Sequence, residues 1–153
     1  MPMPSHYTVG DGLTAGAYPD LLEDIESLEA AAVTVFVDLT HPSDPLPSYV
    51  PHLRAGRRIA HPIPDMSTPS AGLVMQVLDD IDGARDGGEH VYVHCWGGVG
   101  RTGTVVGCWL VRHRLDDGDP IAAIAALRRE LDERASPETP GQVQRVRGWR
   151  PGW

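Results

Sequence analysis

Apolar residues in this chain recur with two periods, and the switching between them predicts alternating strands and helices. From residue 7 to 17, Tyr7, Val9, Leu13 and Ala15 alternate loosely with polar residues and glycines, which predicts short strands or an extended arm ending at Tyr18-Pro19. A helix is expected from Asp20 to about Ala31, with Leu21, Ile25, Leu28 and Ala32 at helical spacing. Val33 to Leu39 is apolar and β-branched enough for a buried parallel strand, and Thr40-His41-Pro42 ends it. Ile59 to Ile63 reads as a short extended segment whose prolines place it at an edge or running into a loop. After the loop Pro64-Asp65-Met66-Ser67, Thr68 as N-cap and Pro69 at the first position predict a helix. Its buried stripe is Leu73, Val74, Val77, Leu78 and Ile81, and Gly87-Gly88 stops it.

Val91 to His94 is the next strand, followed by a helix from Arg101 to His113. That helix is apolar nearly all round through Val105, Val106, Cys108, Trp109, Leu110 and Val111, as a central helix should be. Asp119 and Pro120 open another with Ile121, Ile124, Leu127 and Leu131 on one face, and a last short helix is expected from Gln142 to Trp149. Helices alternating with buried strands imply an α/β fold, with a mostly parallel sheet and a ligand site at the strands' C-terminal ends. The 153 residues, 41% hydrophobic, suit one domain spanning 1–153.

Composition narrows the function. A net charge of −8 and a pI near 5.2 oppose attraction to nucleic acid or an anionic membrane, so neither is expected as a partner. No apolar run approaches the roughly 18–20 residues of a membrane span, and Met1 to His6 lacks a basic segment followed by an apolar one, so a cytoplasmic protein is expected. Its only cysteines are Cys95 and Cys108, which excludes a disulfide scaffold. Cys108 falls about 10 Å along the helix from its start, too far to bridge to Cys95, and reads as core. His41, His52, His61 and His90 show no metal-ligand spacing with carboxylates or cysteines and read as surface or loop residues; no metal or cofactor is expected. The Pro-rich stretch from Pro42 to Pro51 reads as an ordered surface loop.

The candidate chemistry lies in Val91-Tyr92-Val93-His94-Cys95-Trp96-Gly97-Gly98-Val99-Gly100-Arg101-Thr102-Gly103. Cysteine and arginine flank five residues, three of them glycine, between a strand and a helix. Trp96, Gly97, Gly98, Val99 and Gly100 can turn successive N–H groups inward as an anion nest at a helix N-terminus, and Arg101 can add a planar fork for two phosphate oxygens. A thiol of ordinary pKa near 8.5 is mostly protonated at neutral pH, so a nucleophilic Cys95 needs this positive field. Trp96 is placed either as a pocket wall or against the helix.

This run resembles the His-Cys-x5-Arg-(Ser/Thr) signature of the cysteine-based protein tyrosine and dual-specificity phosphatases. The resemblance implies a small twisted sheet flanked by helices, with the phosphate loop at the C-terminal end of a central strand. It also implies that His94 and Thr102 tune the thiolate, unless His94 is simply a core histidine bonded to backbone. The family's proton donor is an aspartate some thirty residues upstream of the cysteine, which points to Asp65; Asp38 is the next candidate. On that pattern Cys95 attacks phosphorus while Asp65 protonates the leaving oxygen, and Asp65 then serves as base for water. Ser136 to Gln142 resembles the loop that positions this water, with Glu138 where the family has its first glutamine and Gln142 matching the second. Alternatively, Gln142 belongs to an ordinary helix start at Thr139-Pro140.

At this length a shallow, dual-specificity-like site is expected, and the uncharged loop disfavours highly anionic substrates. The expected activity is metal-independent hydrolysis of phosphotyrosine, with phosphoserine and phosphothreonine open, in a phosphoprotein partner. A phosphatase for small metabolites or lipids and a silent phospho-partner binding module are the alternatives. The sequence leaves oligomeric state open.

Overall fold

The computed structural model describes residues 4–153, so the first three residues of the Met1–His6 segment lie outside it. Five strands form one sheet in the order β1-β2-β5-β3-β4. β1 (His6–Gly10) and β2 (Leu13–Gly16) make an antiparallel hairpin. β5 (His90–His94) lies parallel between β2 and β3 (Val33–Asp38), and β4 (Arg57–Ala60) adds parallel to β3. The sheet is therefore mostly parallel, with β5 at its centre and β4 as the exposed edge that Pro62 cuts short.

Alternation along the central strands assigns the two faces. Val35 and Val37 of β3 and Val91 and Val93 of β5 point into the larger core, shared with α2 (Ala71–Asp86), α3 (Gly100–Arg112), α4 (Pro120–Leu127) and α5 (Pro140–Arg147). Phe36 and Tyr92 point the other way, where Ile25 and Leu28 of α1 (Leu22–Ala30) pack with Tyr18 and Tyr49. Both faces are covered, as parallel sheets require, and each fully buried Val or Leu contributes about 1.5–3 kcal/mol. α3 carries an almost continuously buried run because it sits between the sheet and α2, α4 and α5. Among the described residues no helix is long and apolar enough to cross a membrane.

Several boundaries differ from expectation, each for a local reason. α1 starts at Leu22 rather than Asp20, because Asp24 reaches back to accept the Leu21 N–H at 2.9 Å; Leu21 and Ala32, placed on the buried stripe, are exposed. α2 is capped not by Thr68 but by Ser70, whose hydroxyl accepts the Leu73 N–H at 3.1 Å, and Leu73 is only half-buried. α4 ends at Leu127, leaving Leu131 outside it and exposed. α5 starts at Pro140, with Thr139 as N-cap, and stops at Arg147. Nor are all the histidines loose surface groups: His90 belongs to β5 and bonds Thr14 at 2.9 Å, while His61 meets Asp80 at 2.6 Å. The stretch from Pro42 to Pro51 is more than surface loop, because Asp44 and Tyr49 within it are buried.

Candidate active site

β5 ends at His94, and the chain turns through Cys95 to Gly100 into the first turn of α3. The loop's carbonyls point outward, into fixed protein donors. His94 Nδ1 bonds the Cys95 carbonyl at 3.1 Å, and the Tyr18 N–H reaches that of Trp96 at 2.9 Å. Arg128 Nη1 reaches the Gly98 carbonyl at 3.2 Å, Ser136 Oγ that of Val99 at 2.6 Å, and Thr104 Oγ1 that of Gly100 at 2.8 Å. With the carbonyls turned out, the N–H groups turn in. Gly98 N–H points at Cys95 Sγ at 3.3 Å, and those of Trp96, Gly97 and Val99 meet no protein acceptor among the described residues. Gly98 makes the turn possible: its φ is +76°, and a Cβ there would fall 2.5 Å from the Gly16 backbone.

Cys95 is buried at the base of this nest, only 3% exposed. Arg101, at 1%, is held from three sides. Its Nη1 donates to Asp44 Oδ2 at 2.7 Å and to the Ile63 carbonyl at 2.9 Å, while Nη2 lies 3.2 Å from Asp65 Oδ1. Arg101 Nε and Thr102 Oγ1 are buried without a partner among the described residues, an expensive arrangement unless an oxyanion answers them. Asp65 itself is half exposed, with Oδ1 accepting the Met66 N–H at 3.0 Å, and so faces both the arginine and solvent. A backbone turn, with Met66 at φ 64° and Ser67 bonded to the Pro64 carbonyl, fixes that loop.

His94 sits fully buried beneath the cysteine. Its Nδ1 must carry the proton it shares with the Cys95 carbonyl, which leaves Nε2 to accept the Tyr49 hydroxyl at 2.7 Å. Burial pushes the imidazolium pKa down and the Tyr49 phenol up, so both are neutral, consistent with that pattern. With the ring neutral, the 4.0 Å approach of Asp38 to Nε2 is no ion pair. Asp38 instead accepts from Thr40 and from Arg58 Nε at 2.8 Å; against the upward push of burial, these bonds hold its carboxyl below the usual range. Burial likewise works against the Asp44 carboxylate, but the Arg101 bond and the His41 N–H keep it ionised.

Trp96 stands at the loop's surface, 45% exposed. Gln142 is fully buried: Oε1 accepts the N–H groups of Glu138 and Thr139, each at 3.1 Å, and Nε2 donates to the Ser67 carbonyl at 3.1 Å. It completes the α5 cap and ties the Asp65 loop to the C-terminal segment. Sequence reasoning missed Asp44, Tyr49, Arg128 and Ser136. Each lies more than 25 positions from the residue it supports; the sequence signal available was an acid and an aromatic set among prolines.

Residues 6–152 match the family model described as "Swiss Army Knife protein, DSP-PTPase phosphatase domain". Protein 067L of Invertebrate iridescent virus 3, named as a tyrosine phosphatase, is 35% identical over 111 residues, covering 68% of this chain and 44% of that protein. The dual specificity protein phosphatase CDC14B of Mus musculus is 38% identical over 66 residues, 42% of this chain and 13% of that one. This chain thus spans less than half the length of these relatives. The solved structure of Tk-PTP in its active form superposes with a TM-score of 0.78 at 25% identity, covering 94% of this chain and 95% of that one. Matched along nearly its whole described length, with a thiol, a buried guanidinium and an acid loop gathered around one strand-to-helix turn, the chain belongs to the DSP-PTPase phosphatase domain family.

Proposed function

We propose that this chain hydrolyses phosphotyrosine in proteins, without a metal, through a cysteinyl-phosphate on Cys95. The observation that carries this reading is the 3.2 Å approach of Asp65 to Arg101, which brings a solvent-facing acid from a separate loop to the rim of the nest. The inward N–H groups, Arg101 and Thr102 receive the phosphate oxygens and stabilise charge spreading over them in the transition state. Cys95 Sγ attacks phosphorus in line, and Asp65 in its protonated form gives a proton to the departing oxygen. Water then displaces Cys95, whose departing sulfur faces the Gly98 N–H at 3.3 Å. His94 holds the Cys95 carbonyl and thereby the loop's first turn.

The test is phosphate release, with chelator present, from matched phosphotyrosine and phosphothreonine peptides and a soluble phosphoinositide, by wild type and Cys95→Ser. Phosphotyrosine turnover that is lost in the variant is the expected outcome, and the peptide ratio sets the specificity. Turnover of the phosphoinositide alone overturns the protein-substrate assignment, and silence on every substrate overturns catalysis.

A further inference from the structure

Carboxylates around the phosphate loop are engaged in hydrogen bonds and ion pairs. Asp38 accepts from Thr40 and Arg58, Asp44 from Arg101 and the His41 N–H, and Asp65 Oδ1 accepts the Met66 N–H beside Arg101. Glu138 differs. It is exposed, and among the described residues its carboxylate accepts no hydrogen bond and makes no ion pair; its backbone N–H alone is bonded, to Gln142. The carboxylate nevertheless lies over the loop, since a Cβ built on Gly100 would fall 2.7 Å from Glu138 Oε1. Gly100 leaves that space open, and Arg134, which feels the charge of Glu138, stands beside Gly97 on the same rim.

The amide oxygen of Gln142 is committed to the chain's own backbone. The residue is fully buried, and both acceptor positions of its amide oxygen are filled by N–H groups. We infer that Glu138 is the general base for the second half of the reaction, an inference that rests on the Cys95 reading above. A water oxygen donates its lone pair to phosphorus and forms the new P–O bond. The S–P bond breaks with its electron pair returning to Cys95 Sγ, and a water proton passes to Glu138, which releases it to solvent. The division of labour is then spatial: Asp65 serves the departing oxygen from the Arg101 side, and Glu138 serves water from the Gly100 side. A carboxylate can accept the proton that a glutamine at this position could only orient, so the exchange of one residue type for the other changes the chemistry available.

Rapid-mixing kinetics with p-nitrophenyl phosphate separate the two steps. In Glu138→Gln and Glu138→Ala the first turnover of p-nitrophenol is expected at the wild-type rate, with steady-state turnover lowered about 10²-fold. The mass of one phosphoryl group should accumulate on the denatured, quenched protein and be absent from Cys95→Ser. Glu138 is exposed and its backbone bond survives both substitutions, so folding is not at stake. Decay of the phosphoenzyme at the wild-type rate in both variants overturns the inference while leaving the phosphatase reading intact. Slow decay in Glu138→Ala with normal decay in Glu138→Gln overturns the proton transfer specifically. Turnover that survives in Cys95→Ser overturns the phosphatase reading and this inference with it.

Discussion

Asp44 and Asp65 both touch Arg101, yet their surroundings give them different work. Asp44 is buried and bonded to Nη1 at 2.7 Å, so it aims the guanidinium; Asp65 is half exposed and meets Nη2 at 3.2 Å, so it can exchange protons with solvent. Asp65→Asn should therefore lower kcat by about 10²–10⁴ on a poor leaving group and leave inhibition by inorganic phosphate unchanged or tighter, because a carboxylate no longer competes for the arginine. Wild-type turnover in that variant would remove Asp65 from the reaction. Asp44→Ala should instead weaken phosphate inhibition and lower stability by about 1.5–3 kcal/mol, the worth of a charge-assisted hydrogen bond, as read from urea midpoints. Cys95 and Arg101 were legible in the sequence because loop and helix start are contiguous there. Asp44 was not, because its partner lies 57 residues away and only the folded chain brings the two together.

At the level of elements, the sequence pattern located the five α-helices and the central strands, because burial on one face leaves a periodic trace, but not the one-turn 3-10 helix Val50–His52 inside the Pro-rich loop. The ends were read less well. The starts of α1 and α2 turn on which side chain first reaches an unpaired N–H: Asp24 from inside the first turn, and Ser70 ahead of Thr68. What spacing could not show is how close the helices pack. A Cβ on Gly107 in α3 would fall 2.6 Å from Val146 of α5 and 3.0 Å from Ile124 of α4, whereas one on Gly83 in α2 would meet nothing within 4 Å. Both positions are helical, so alanine gains about 1 kcal/mol of propensity at each. Gly83→Ala should therefore raise stability by about that amount. Gly107→Ala should lower it, since overpacking costs about 1–3 kcal/mol. Equal urea midpoints for the two variants would show that α3, α4 and α5 can separate without penalty.

Across the whole molecule, ionisable groups that folding takes out of water are concentrated beneath the phosphate loop, and they set how stability follows pH. The mostly parallel sheet was legible from the order of strands and helices, but the placement of Asp38, Asp44, Tyr49 and His94 around one strand end was not. It depends on β5 and β3 lying side by side with the Pro-rich loop folded over them. His94 has its pKa lowered by burial, so below the unfolded value of about 6.5 the unfolded chain binds a proton that the native state refuses. Stability should fall with pH from there, at up to about 1.4 kcal/mol per pH unit for this one group. Asp38 and Asp44 have lowered pKa values despite burial, so their contribution is complete above about pH 4 and is lost as pH falls through their still lower native values. Two acid limbs follow, the upper belonging to His94 and the lower to the carboxylates. Urea midpoints measured from pH 7 to pH 3 should show both. His94→Gln should flatten only the upper limb, because an amide has no proton to gain, and Asp44→Asn only the lower. If His94→Gln keeps the full slope near pH 6, the imidazole is charged in the native state. The hydrogen bond it accepts from Tyr49, and with it the tautomer that holds the Cys95 carbonyl, would then have to be reassigned.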